Sequence, residues 1–220
     1  MSLFAVASLF TVSIASIILI VFVAYLLWQH SKRSIDPRPD EVKALAEENA
    51  WQFSVKSTQL EQLIKAGQHG YMGRGYELEN VCTQQQAGDT AYIFDCFTAT
   101  PISGIAIEFE TAELPQMQAA EHLLKNRLGP LQTTQIEPDQ LPRFIKARLL
   151  VYAPADQHGE ISAFIAENDA FQALLKRRDL GYFTMQGNCV VFYFLTRHPA
   201  EQWDFSKITE RVNQIKQIPQ

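Results

Sequence analysis

The chain has 220 residues, 47% of them apolar, and 24 acidic against 19 basic side chains give a formal net charge of −5. That balance excludes a general nucleic-acid binder, which needs a basic face to displace counterions from phosphates. Three cysteines without C-x-x-C or zinc spacing exclude a disulfide scaffold and a zinc-ligand pattern.

The first element is apolar. Residues 3–27 contain no Asp, Glu, Lys, Arg or Pro. As a helix at about 1.5 Å per residue they reach about 37 Å, more than the roughly 30 Å hydrocarbon core of a bilayer. A cleaved secretory signal would begin with basic residues, hold a shorter apolar core and end in small residues. This stretch has no Lys or Arg before it and ends in Tyr25, Leu26, Leu27 and Trp28. It reads as an uncleaved transmembrane anchor, residues 1–30 with its flank.

Tyr25 and Trp28 stand where an aromatic belt meets the headgroups, and His30, Lys32, Arg33 and Arg38 follow. The bias of basic residues predicts an N-terminus outside and a soluble domain in the cytoplasm, with a periplasmic domain as the alternative. Within the span, Ala5, Ser8, Ala15 and Ser16 lie near one side, and Thr11 with Ala15 has the small-x-x-x-small spacing of close helix packing. Small residues are also common in lone membrane helices.

Residues 31–39 form a short polar stalk with Pro37 and Pro39, and residues 40–220 form one soluble domain. Asp40 caps a helix through Asn49, and Trp51, Phe53 and Val55 alternate as a short strand. Thr58 and Glu61 fit a capping box for a second helix, which stops at Gly67. In 67–75, Gly73, Arg74 and Gly75 offer backbone N–H groups to an anion. A phosphate loop opens a helix, however, and this segment opens a strand, so it reads as a turn with Arg74 as a weak ligand candidate.

Strands follow at 76–83, 91–100 and 105–110, an antiparallel meander. Asp95, between Phe94 and Cys96, is a carboxylate in an apolar strand and needs a partner; it is the second ligand candidate, with a structural hydrogen bond as its default role. Glu108 and Glu110 read as a solvated face. Residues 114–128, with Met117, Ala120, Leu124 and Leu128 at helical spacing, predict a helix after Pro115. Residues 131–142 are a connection, and 144–153 predict a strand with a basic edge of Arg143, Lys146 and Arg148.

Asp156, His158 and Glu160 fall together around Gly159. They lack a second ligating pair, so the segment reads as a surface loop, with His158 as the third weak candidate. Asn168 or Asp169 caps a helix to Arg178, whose Lys176, Arg177 and Arg178 complement its dipole. Strands at 182–186 and 189–196 meet at a Gly187-Asn188 hairpin, the second apolar on both sides. Phe205, Ile208, Val212 and Ile215 line one face of a last helix over 204–218 that covers the sheet. The fold expected is α+β, mostly antiparallel sheet with packed helices. The cysteines, each in a strand, read as buried thiols; for a domain outside the cytoplasm Cys82 and Cys96 are the pair to test.

The anchor, Leu45-Ala46 and Trp51 at the domain entry, Glu79-Asn80-Val81, Phe94-Asp95, Leu114-Pro115, residues 147–152 and the closing hairpin resemble an uncharacterised family of bacterial single-pass inner-membrane proteins, a domain of unknown function. The resemblance implies an inner-membrane location and brings no activity or catalytic residue. The function expected is a membrane-tethered, non-enzymatic interaction or accessory domain. Its partners are the bilayer and another membrane protein, with no nucleic acid and no cofactor. The alternative is a lipid- or small-molecule-binding domain, and an enzyme using Asp95, His158 or Cys96 stands third.

Overall fold

The structure is a computed structural model that describes residues 21–23, 38–66, 76–86, 88–97, 101–111, 113–127 and 133–199. The chain divides into two units, Met1–Pro39 and Asp40–Gln220. In the first, Val21, Phe22 and Val23 are helical and exposed. The rest of the expected anchor, with Tyr25, Trp28, Lys32 and Arg33, lies outside the described residues, as do Arg74 and the expected helix over 204–218. Among the described residues no helix is long and apolar enough to cross a membrane.

The second unit is built on a nine-stranded sheet in the order β1-β2-β3-β4-β9-β8-β5-β7-β6. Every neighbouring pair is antiparallel. Helix α1 (Arg38–Glu48) precedes β1 (Gln52–Ser54), and α2 (Thr58–Ala66) leads to β2 (Glu77–Gln86). Ser57 Oγ accepts from Leu60 N at 3.2 Å, so the cap sits one residue before the expected one. Strands β3 (Asp89–Phe97) and β4 (Ile102–Glu108) complete the expected meander.

The stretch expected as a helix over 114–128 is β5 (Leu114–Glu121), followed by a 3₁₀ segment, His122–Arg127. The cause is burial on both sides. Met117 and Ala119 face one core cluster and Ala120 the other, so the apolar positions follow no single period, and helical spacing arises by coincidence. Pro115 is tolerated because the ladder to β8 is irregular between Leu114 and Met117.

The expected strand over 144–153 begins later. Pro142 starts a one-turn helix, α3 (Arg143–Lys146), and β7 is Leu149–Ala153, with β6 (Thr134–Gln135) beside it. The supposed loop at 156–160 is a 3₁₀ turn (Ala155–Gln157) running into α4 (His158–Glu167), which Ile161 and Ile165 hold in the core. Gly159 does not break it, because one glycine costs a helix only about 1 kcal/mol. Asn168 caps α5 (Asp169–Leu175), its Oδ1 accepting from Phe171 N at 2.8 Å. The hairpin of β8 (Leu180–Gly187) and β9 (Cys189–Phe194) turns at Gly187, φ +58°.

The sheet buries both faces. On the first, α1, α4 and α5 close an apolar core through Val42, Ala46, Ile161, Ile165, Phe171 and Leu175. The second carries Tyr92, Phe94, Tyr182 and Tyr193, with Cys96 and Cys189. All three cysteines are buried and free; Cys82 belongs to the first cluster and Cys96 to the second.

Gly104 lies opposite Phe94 in the ladder, and a Cβ there would meet the Phe94 ring at 2.4 Å. That ring is fully buried and packs edge-on to Tyr193 with centroids 5.9 Å apart, so any shift must displace core neighbours. Gly104→Ala is expected to destabilise the domain by about 1–3 kcal/mol, the range for overpacking a full core. A lowered urea midpoint with unchanged m-value checks it.

Candidate functional site

Asp95 is fully buried, and it organises the polar residues around it. It faces Ser103 across the β3–β4 ladder, and Ser103 Oγ donates to Asp95 Oδ1 at 3.1 Å. From the other neighbouring strand Asn80 Nδ2 donates to Oδ2 at 3.0 Å. Asn80 reaches it from an irregularity in the β2–β3 register, with a left-handed backbone, φ 53°, that asparagine adopts more readily than most residues. Arg197, just past β9, brings the countercharge, its Nε 3.1 Å from Oδ2. Three strands and the exit from a fourth therefore converge on one carboxylate.

The network continues through the next residue. His198 N donates to Ser103 Oγ at 3.0 Å, and Ser103 N donates to Thr196 O at 3.2 Å. The His198 ring stacks on Phe194 at 4.7 Å and sets Nε2 3.1 Å from Asp179 Oδ2. Arg177 donates to both oxygens of Asp179 and lies over Phe194 at 4.9 Å. Burial alone would raise the Asp179 pKa, but hydrogen bonds and charge from Arg177 and His198 outweigh it and hold the carboxyl well below the usual carboxylate range.

Arg148 extends the polar chain. It donates to the carbonyls of Leu175, at 2.7 Å, and Arg177, where the backbone leaves α5. The end of that helix is thus capped by an arginine from β7's approach, while Arg177 itself turns to Asp179. The basic cluster expected to complement the helix dipole is only partly used that way.

This arrangement is a positioning network. Ser103 is buried, its hydroxyl donates to a carboxylate, and the imidazole faces Asp179, so serine and histidine do not form a nucleophile and base. The thiols offer no alternative: burial, then the Asp95 charge, pushes Cys96 up to about 12, and burial, then Glu108, pushes Cys189 up.

His158 is elsewhere, at the start of α4, its Nε2 3.1 Å from Thr134 Oγ1 and 3.3 Å from Ala153 O. It joins the helix to β6 and β7. Among the described residues no group of three His, Cys, Asp or Glu side chains could hold a metal. Asp95 and His158 are therefore not brought together. The residues that sequence reasoning passed over are Asn80, Ser103, Asp179, Arg197 and His198; the available signal was the buried carboxylate itself, which demanded donors.

No family model matches the chain, and no curated protein matches it. Among solved structures, the crystal structure of the mycobacterial trehalose monomycolate transport factor A, TtfA, matches with a TM-score of 0.57 at 14% identity. The match covers 83% of this chain and 94% of that one. The likeness is one of fold.

Asp95→Ala would leave Arg197, Ser103 and Asn80 facing a void and is expected to cost about 3 kcal/mol, the low end for breaking a buried ion pair. Asp95→Asn should recover part of that, since its amide oxygen still accepts; chemical denaturation measures both. For Asp179, whose folded pKa is depressed, the contribution to stability is present above the unfolded value of about 3.9 and is lost as pH falls below it. Asp179→Asn is expected to flatten the acid side of the stability–pH curve from about pH 4 downward, and urea midpoints across that range test it.

Proposed function

We propose that the chain is a non-enzymatic, membrane-tethered accessory domain that works by holding its α+β unit at the bilayer beside another membrane protein. Residues 3–27, uncharged and long enough to span, are the tether. The domain sits on the cytoplasmic side of a bacterial inner membrane, as the basic residues Lys32, Arg33 and Arg38 favour. Confinement to the membrane raises the local concentration of the domain near its partner without any added contact.

The observation that carries the reading is the fold match over 94% of TtfA, a trehalose monomycolate transport factor. It supports an accessory role in moving a lipid-like molecule. The polar network agrees with it, because Ser103 is engaged with Asp95 and the His198 ring with Asp179. A second reading, a lipid-binding domain, is supported by the same fold likeness to a trehalose monomycolate transport factor.

The deciding experiment is purification of the full-length protein in mild detergent, with mass spectrometry of the protein and lipid that accompany it. A stoichiometric membrane-protein partner is the expected result. Lipid without such a partner would overturn the accessory reading in favour of lipid binding, and protein free of both would overturn the two together.

A further inference from the structure

The strand register gathers three connections at one end of the sheet. Glu121, the last residue of β5, pairs with Leu149, the first of β7, and Ala120 pairs with Tyr182 near the start of β8. The 3₁₀ segment His122–Arg127, the one-turn helix α3 before β7 and the turn from α5 into β8 therefore share that end. Side chains tie them together. Arg148 donates to the carbonyls of Leu175 and Arg177 and lies 3.9 Å from Glu121, while Lys176 Nζ stands 4.6 Å from the centre of the Phe144 ring. Leu124 packs over Gly181, where a Cβ would meet its methyl at 3.2 Å.

What this end presents to solvent is cationic, with one apolar side chain beside the cations. Arg143, Lys146, Lys176 and Arg178 are exposed. Leu123 is 91% exposed, more than any other large apolar side chain among the described residues. The nearby acids Glu121 and Asp179 are half-buried and each holds an arginine, Arg148 and Arg177. Asp139, wholly exposed, lies 3.6 Å from Lys146, a surface pair of the kind that contributes little. In a chain of net charge −5, this end has the opposite sign to the whole. A protein partner would need a broad apolar patch at the centre of its interface, and a single leucine does not provide one. A layer of anionic headgroups suits the arrangement better, because it neutralises cations on long flexible stems and admits a lone apolar side chain between them.

We propose that this end of the sheet is a bilayer-docking surface, on which Arg143, Lys146, Lys176 and Arg178 meet the phosphates of anionic lipids and Leu123 enters the headgroup layer. The proposal deepens the accessory reading and rests on its membrane tether. The tether supplies proximity, and the docking surface supplies orientation. Screening over about 8 Å at physiological salt confines the attraction to cations that reach the headgroups, so docking is reversible and salt-sensitive.

The test places a fluorescent probe at the apolar position. Full-length protein carrying Leu123→Cys is labelled in its native state with an environment-sensitive maleimide dye, to which the three buried native thiols react slowly. It is reconstituted into vesicles of phosphatidylcholine, alone or with phosphatidylglycerol, that contain a spin-labelled lipid as a shallow quencher. Quenching is expected to be about twofold or more stronger with phosphatidylglycerol, and to fall to the phosphatidylcholine level at high salt. The combined changes Lys146→Glu, Lys176→Glu and Arg178→Glu, all at exposed positions, should abolish the difference while leaving the circular dichroism spectrum unchanged. Equal quenching in the two lipids, or quenching that survives the charge reversal, would overturn the proposal. So would a probe unquenched in both lipids at a position that crosslinks to a co-purified protein, which gives the surface to a protein partner. Carbonate extraction of the same vesicles tests the tether separately. Release of the protein overturns the tether and the docking built on it, whereas protein retained but unquenched overturns the docking surface alone.

Discussion

A carboxylate with no exposure to water is the constraint on which the middle of this domain depends. Leaving Asp95 ionised in a sheet interior without donors would cost several kcal/mol, so the surrounding chain is arranged to supply them. The irregular register of β2 aims Asn80, the ladder presents Ser103, and the chain leaving β9 delivers Arg197. These contacts join the consecutive strands β2, β3 and β4 to the exit of β9, 102 residues beyond Asp95. A charge in this position therefore specifies which strands meet and in what register, beyond any net stability it adds.

The same constraint explains how the chain leaves the sheet. Ser103 serves Asp95 with its hydroxyl hydrogen and accepts from His198 N with its oxygen, so the residue that satisfies the carboxylate also fixes the backbone after β9. His198 then turns to Asp179, where Arg177 completes a second, more exposed pair. Two carboxylates, one buried and one near solvent, hold Arg197 and His198 just past β9.

Legibility in the sequence follows the same physics. Where one face of an element meets water, as in α1, α2 and β2, the pattern is readable, while β3, β4, β8 and β9, buried on both sides, match their expected types because turn residues such as Gly187-Asn188 frame them. Where both faces are buried and no such turn frames the segment, periodicity misleads. Leu114–Glu121 has apolar side chains on both sides of the sheet and mimics a helix, and its true type depends on pairing with Met185 and Val151, residues far along the chain. The helix at His158–Glu167 was hidden for another reason, a glycine in its first turn that punctuates nothing. Asp95 was legible as a residue in need of partners. Its partners were not, because Arg197 lies 102 residues away and only the strand order brings it close.

The sheet also limits how a partner could bind. Its outermost strands are β1, three residues, and β6, two residues. Edges that short present few free backbone groups and resist the addition of a foreign strand. Recognition by strand addition is therefore disfavoured at both ends of the order, and a partner must meet side chains on the helices, the loops or a face of the sheet. The first face is a mixed aliphatic and aromatic core, closed by helices whose own apolar residues are spent in it. The second carries buried tyrosines, the rings of Tyr182 and Tyr193 packing with centroids 5.7 Å apart.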